Sequence, residues 1–595
     1  MPSTRRSESL AGLVGLGALG IAGLLIAVAL PPAPTAPRYA GAGHETPQRG
    51  GTFVFHHEAD VRGFDPHIAF DELSNMGIKL MYEGLIDYDR DTLELVPRLA
   101  EAVPEPSEDG RTYRFRLRAD IRFADHVVFC EDPETAPRPC PGRPITAEDV
   151  RWSLEHMLAT STGSPGVTFF ELIEGVEAYR EGEASHVSGI RVLDERTVEM
   201  QLLRADQTFL FAMAMTFAYP VAHEAYEVYG DDVARHPVGT GAYILERWEP
   251  GVQLDFVRNP SFFIEGQPYV DRMVYILNLS RQAAVMRFRN GEIDHIHRQT
   301  PADYRLLKSY PAWEPYRLEE PKVNIWGIGM NCELAPFDNR HMRRAVAFAL
   351  NTERWKRARA GRLLLSGQPI PRPLPGFDPD LPGQHHFDLD VAREEMRLAG
   401  YPDGYPEPLT LTMSDGETAR FYGELVQQDL RAIGIEIEIR QISFPIWLQQ
   451  TGTRRTVLMA LQGWSMDYPD AANFLDILFH SRSIHETDSE NKAFYSNPEV
   501  DRLLDAARVE RDRPTRLGMY REASRIIVDD APWGFTFSDL AMEMWQPYVH
   551  NYRPNPVWSN FFRDVWLDLP RRRVALWERA PTRSVPALTP FGGRP

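Results

Sequence analysis

The sequence predicts an α/β protein of at least two domains. At 595 residues the chain is longer than a single hydrophobic core organises. Alternating strands joined by short turns occupy its first half. A strand–helix–strand–strand pattern runs from Leu409 to Leu461, and such a unit builds a layered α/β body.

The elements follow in chain order. Arg5 and Arg6 precede an uncharged apolar run from Leu10 to Leu30. At about 1.5 Å per residue that run reaches across a ~30 Å hydrocarbon core. It reads as a signal segment or an uncleaved anchor, with the arginines inside and the remainder exported. Residues 31–49 are rich in Pro, Ala and Gly and read as a linker. Thr52 to Phe55 is a short strand, and Met76, Leu80 and Met81 mark a helix before Gly84. Tyr113, Phe115 and Leu117 alternate with three arginines, the pattern of a half-buried strand. Thr146 caps a helix to Leu158, with Glu148 and Asp149 in its first turn. Ile190–Leu193 with Thr197–Leu202, and Gly241–Trp248 with Gln253–Arg258, are hairpins.

In the later half, Leu409 to Met413 is a strand. Glu417 to Ile433 is a helix ended by Gly434, and Ile435 to Arg440 alternates as the next strand. Thr456 to Leu461 is almost wholly apolar, which predicts a strand covered on both faces. Ligands of open α/β sheets sit beyond the carboxyl ends of strands. Gly463-Trp464-Ser465-Met466-Asp467-Tyr468-Pro469-Asp470 stands there, with an aromatic wall and two acids able to meet a cation. An ordinary strand exit with solvated acids fits the same residues.

The formal net charge of -19 argues against nucleic-acid binding, because phosphate contacts need a basic face, so no nucleic-acid partner is expected. Export into an oxidising compartment favours a bond between Cys130 and Cys140, which would stabilise by roughly 2–3 kcal/mol. Two free thiols are the alternative. Cys332 is left over as a small buried residue. The nearest approach to HExxH is His223-Glu224-Ala225-Tyr226-Glu227, which lacks the second histidine. There is no GxSxG elbow and no GxxxxGK[ST] loop. No catalytic residue, cofactor or metal is therefore expected. The His56-His57 and His385-His386 pairs read as loop residues, because adjacent side chains point apart.

A series of short segments then acquires meaning from its order. Phe64-Asp65-Pro66, Tyr82-Glu83-Gly84-Leu85, Ser107-Glu108-Asp109-Gly110 and Thr146-Ala147-Glu148-Asp149-Val150 come first. Pro237-Val238-Gly239-Thr240-Gly241-Ala242-Tyr243, Asn259-Pro260-Ser261-Phe262-Phe263 and Gly291-Glu292-Ile293-Asp294 follow. Arg343-Arg344-Ala345, Tyr495-Ser496-Asn497-Pro498 and Asp530-Ala531-Pro532 complete the set. In that order they resemble the extracellular solute-binding proteins of ABC importers that include the oligopeptide- and dipeptide-binding receptors.

The resemblance implies a two-lobed periplasmic-binding-protein-like fold with a hinge. Residues 50–84, 236–322 and 545–569 would form a discontinuous first lobe, 85–235 an insert subdomain, and 323–544 the second lobe. Residues 570–595 are a basic, proline-rich tail outside it. The implied function is capture of a peptide in the interlobe cleft and delivery to a membrane permease and its ATPase. The receptor would be a periplasmic monomer, free or held to the membrane by its N-terminal segment. An oligosaccharide or a nickel complex is the alternative ligand. The resemblance assigns the ligand's amino group to Asp467, a wall to Trp464, and backbone pairing to Gly463 and Ser465. Phe70, Asp71 and Glu72 would face them from the first lobe. Leu461 stands where some oligopeptide binders have an arginine, so Arg454 or Arg455 is the candidate partner for a ligand carboxylate.

Overall fold

The computed structural model describes residues 46–89, 92–554 and 562–569. The N-terminal apolar run, most of the linker and the C-terminal tail lie outside these residues. No described helix is long and apolar enough to cross a membrane.

Two large sheets organise the chain. The first has four strands in the order Thr52–His56, Arg272–Ile276, Gln253–Arg258, Tyr243–Glu249. Its first pair is parallel and the others antiparallel. Phe53, Phe55, Phe256 and Tyr275 alternate onto its core face, where Phe562 packs from the far end of the chain. The second sheet runs His295–Ile296, Trp533–Trp545, Asn324–Met330, Met459–Ser465, Leu409–Ser414, Ile437–Ile442. Arg317–Pro321 and Leu363–Leu365 also pair with Trp533–Trp545. That 13-residue strand meets His295 and Arg317 at one end and Trp326 and Gly329 at the other. It therefore joins the two halves of the molecule by main-chain ladders.

Local chemistry explains the elements. Thr146 and Asp149 form a reciprocal capping box at the Ala147–Leu158 helix, closing two orphaned N–H groups at its start. Helix Glu417–Arg431 presents Tyr422, Val426 and Leu430 to the second sheet, and Gly434 turns the chain at φ 76°. A three-stranded sheet, Thr112–Arg116, Thr197–Gln201 and Ile190–Asp194, lies between residues 85 and 235. Cys130 and Cys140 are joined in a disulfide across the loop in that region. Burial pushes the thiol of the free Cys332 up to about 11.

The structure moves two strand boundaries. The apolar strand expected at Thr456–Leu461 is Met459–Ser465. Arg455 takes φ 57° and Thr456 donates back to the Thr453 carbonyl, so the chain is still turning there. Antiparallel pairing with Asn324–Met330 carries the strand on through Gly463, Trp464 and Ser465. The strand expected from Ile435 likewise begins at Ile437 and ends at Ile442.

The two halves also meet side chain to side chain. One apolar cluster runs from Leu85, Phe115 and Phe217 to Tyr468, Phe474 and Trp533. At its edge Arg508 lies 3.3 Å from Asp206 and 3.2 Å from Asp476.

Candidate ligand-binding site

The site is built on the Met459–Ser465 strand. Asn324–Met330 pairs along its whole length, but Leu409–Ser414 pairs only at Met459 and Ala460. Met466 donates to the Val323 carbonyl at 3.0 Å and Asn331 to that of Leu458 at 2.9 Å. Antiparallel alternation then turns the even-numbered main-chain groups toward Asn324–Met330 and the odd-numbered ones away. Gly463 and Ser465 thus present N–H and C=O groups to an edge that no described strand fills.

Gly463 lets a neighbour approach. A Cβ there would lie 2.6 Å from Cε3 of Trp326, whose indole covers the position. Trp326 is held by donation from Nε1 to Asp539 at 2.9 Å and by its ring contact with Phe537. Trp464 is half-buried and donates from Nε1 to Asn473 Oδ1 at 3.1 Å. The same Oδ1 accepts the Asp467 N–H at 2.9 Å, and Asn473 Nδ2 donates to Asp467 Oδ2 at 3.0 Å. Asn473, wholly buried in the first turn of helix Ala472–Phe479, therefore fixes both Trp464 and Asp467.

The two acids of this segment are in opposite electrostatic states. Asp470 is paired with Arg516 at 2.9 Å and caps the next turn through Ala472. Asp467 is 5% exposed and has no cation within ion-pair distance among the described residues. Burial pushes its carboxyl up to about 7; the Asn473 hydrogen bond opposes this and Glu490 adds to it. A buried carboxylate without a counter-charge is costly alone and can accept a cation on one oxygen.

The first-half residues are placed unevenly. Phe70 packs on Phe217 at 4.9 Å and Phe169 at 6.4 Å, and Phe169 in turn meets Tyr468, the residue after Asp467. Asp71 caps helix Glu72–Met81 through Ser74, while its other oxygen is buried without a hydrogen bond. Glu72 pairs with Arg298, and Lys322 lies 3.7 Å away. Burial raises its carboxyl, but these two cations prevail and hold it at about 2. Its charge is thus already balanced.

Arg454 and Arg455, expected as carboxylate partners, are engaged elsewhere. Arg454 binds Glu333 at 2.6 Å and Glu486 at 3.0 Å, and Arg455 binds the same Glu333 at 3.3 Å. These acids already balance the charge of Arg454, and Glu333 also engages the Nε of Arg455. Neither Asn473 nor Trp326 was signalled by the sequence beyond an amide six residues after Asp467 and an indole on a crossing strand.

The histidines take two roles. His385 accepts from Phe535 N–H and bonds the Val528 carbonyl, which makes it a core bracket. His56 and His57 gather with His295 and His297, with ring centroids 5.0–5.5 Å apart. Among the described residues no group of three or more His, Cys, Asp or Glu is arranged to hold a metal ion.

A two-lobed α/β body, with a buried acid that no described cation pairs and an open strand edge beside it, fits a solute-binding class of protein. Residues 94–486 match the family described as bacterial extracellular solute-binding proteins, family 5, middle region, and the chain belongs to that family. It is 27% identical over 536 residues to a di/tripeptide-binding protein of Pseudomonas aeruginosa, covering 86% of this chain and 94% of that one. A solved oligopeptide-binding protein of clavulanic acid biosynthesis superposes with TM-score 0.77 at 26% identity, covering 89% and 98% of the two chains. A Helicobacter pylori periplasmic binding protein, solved with a bound peptide, shares the fold at TM-score 0.71 and 23% identity, covering 87% and 98%.

Proposed function

We propose that the chain is an exported, periplasmic receptor that captures peptides between its lobes and delivers them to an ABC permease and its ATPase. It acts as a monomer, by binding and release and not by catalysis. The observation that carries the reading is Asp467: a buried carboxylate, oriented by Asn473, with no cation of its own among the described residues. A peptide's α-ammonium supplies the missing charge. Its backbone then pairs with the unfilled edge at Gly463 and Ser465, adding a strand beside Met459–Ser465. Main-chain pairing accepts varied side chains, because every peptide offers the same N–H and C=O groups. The peptide-binding names of relatives support this choice over a sugar or a nickel complex.

Calorimetry with a binding peptide and its N-acetylated form tests the proposal. Acetylation removes the ammonium and should weaken binding by about 2–5 kcal/mol, the range for breaking a buried charge pair. Equal affinity for the two forms would sink the assignment.

A further inference from the structure

Residues 85–235 pack against the segment that carries the ligand acid. Tyr468, the residue after Asp467, is buried and stacks on Phe211 at 6.0 Å, with Phe169 edge-on at 6.4 Å. An ammonium group from solvent reaches a carboxyl as buried as Asp467 only when packed elements part, and the Tyr468 contacts make residues 85–235 the body that moves. The long strand Trp533–Trp545 keeps the halves joined by main-chain ladders. None of the described strands between residues 85 and 235 enters that sheet. The polar ties from residues 85–235 to the second half are instead made by side chains and loop ends.

Those ties gather on four consecutive residues. Helix Pro498–Val509 carries Arg508 in its last turn, and Arg511 follows in the loop before helix Arg513–Asp530. Arg508 Nη2 lies 3.3 Å from Asp206 Oδ2, and the Arg508 carbonyl accepts the Gln207 N–H at 2.9 Å. Asp206 holds that oxygen in place, because its Oδ1 accepts the N–H and the hydroxyl of Thr208 at 2.8 and 2.6 Å. Arg511 donates from Nη2 to the carbonyls of Ser107 and Glu108, both at 2.8 Å. These carbonyls belong to the Ser107-Glu108-Asp109-Gly110 turn, which Gly110 closes by donating to Ser107. Gly110 has φ 75°, and a Cβ there would lie 2.9 Å from Arg511 Nη2. The glycine thus makes the turn and admits the arginine. Within its own half Arg508 lies 3.2 Å from Asp476, whose carboxylate oxygens are buried with no hydrogen bond.

We propose that Arg508 and Arg511 form a clasp that engages when residues 85–235 close on the second half and lets go when they open, a role that rests on solute capture between the halves. Both arginines are positioning residues: they act through closure and set how long a captured solute is held. Two features suit a contact that is made and broken repeatedly. The Arg511 bonds are at the surface, so water replaces them on opening at little cost. Arg508 keeps Asp476 in the open state, so its guanidinium stays aimed and no buried charge is stranded there. Aromatic packing on Tyr468 is non-directional, whereas the guanidinium bonds fix the register in which residues 85–235 settle over it. A ladder that stays joined and a clasp that releases are the two elements a hinged closure needs.

The test is the distance between spin labels at Glu108→Cys and Val509→Cys, two exposed positions flanking the contact. The labels sit in the full chain with Cys332→Ser and the Cys130–Cys140 bond intact. Pulsed electron resonance counts closed and open populations, with and without trialanine as the probe solute. With trialanine the otherwise unaltered chain should show mainly the short distance. Arg511→Gln removes only surface bonds and should fold normally. It should lower the closed-to-open ratio about tenfold and speed trialanine release by a similar factor, and Asp206→Asn should do the same. Arg502→Gln, on the same helix but paired with Glu499, should change neither. A distance distribution that is the same with and without both clasp substitutions, whether or not trialanine is present, overturns the clasp. So does a fall in melting temperature with no change in distance, which marks a static pair. A distribution that answers to Arg511→Gln but not to trialanine keeps the clasp and counts against peptide capture instead.

Discussion

Replacing Asp467 by Asn should make the unliganded protein more stable at neutral pH while disabling its binding site. The side chains are nearly isosteric, and the new carbonyl can still accept from Asn473 Nδ2. What changes is the charge. The folded protein holds the Asp467 carboxyl up to about 7, against an ordinary value near 4 in an unfolded chain. A raised carboxyl keeps in the folded state a proton that the unfolded state has released. Stability from this group is therefore full below pH 4, falls as pH rises from 4 to 7, and is constant above 7. About three pKa units at 1.36 kcal/mol each put the loss at about 4 kcal/mol. The asparagine variant has no such loss. Urea unfolding at pH 4, 6 and 8 should show wild type and variant converging at pH 4, with the variant ahead by up to about 4 kcal/mol at pH 8. Peptide affinity should fall by about 2–5 kcal/mol in the same variant. A stability difference that does not change with pH would refute the claim that Asp467 sits buried and uncompensated.

Other outcomes follow from neighbouring contacts. Arg454→Ala should leave peptide affinity essentially unchanged by calorimetry, because Glu333 and Glu486 already hold that side chain. Gly463→Ala forces a Cβ against the Trp326 indole and should cost about 1–3 kcal/mol of stability in denaturant titration, with weaker peptide binding. His56 is 3% exposed, and burial, with His295 and His57 beside it, holds its imidazole down at about 3. A depressed histidine costs stability as pH falls below 6.5, about 2 kcal/mol by pH 5. His56→Asn should accordingly narrow the difference in unfolding free energy between pH 8 and pH 5.

The parts of this structure legible in the sequence are those set by local pattern. Helix Glu417–Arg431 and the strands flanking it follow from apolar spacing, and the Ala147–Leu158 helix from Thr146 and Asp149 at its start. Apolar pattern alone ends the Met459–Ser465 strand at Leu461, because a glycine, an indole and a serine break the run. Those residues remain a strand because Asn324–Met330, well over a hundred residues earlier, pairs with them. Nothing local separates Asp467 from Asp470; Arg516, on a later helix, neutralises one and leaves the other. Arg454 and Arg455 look available for the same reason, since Glu333 lies far away in sequence. Partners that decide charge are brought by topology, which periodicity does not encode.

The aromatic face of strand Thr52–His56 is finished by Phe562 and Tyr552, near the opposite terminus. During vectorial synthesis that strand emerges first and stays incomplete while some five hundred residues follow. At about 5–20 residues per second the wait is roughly 25–100 s. For that interval Phe53 and Phe55 are sticky surface, offered to chaperones or to other nascent chains. Truncations that stop short of Phe562 should therefore leave the early strand exposed, however well the later α/β body has formed.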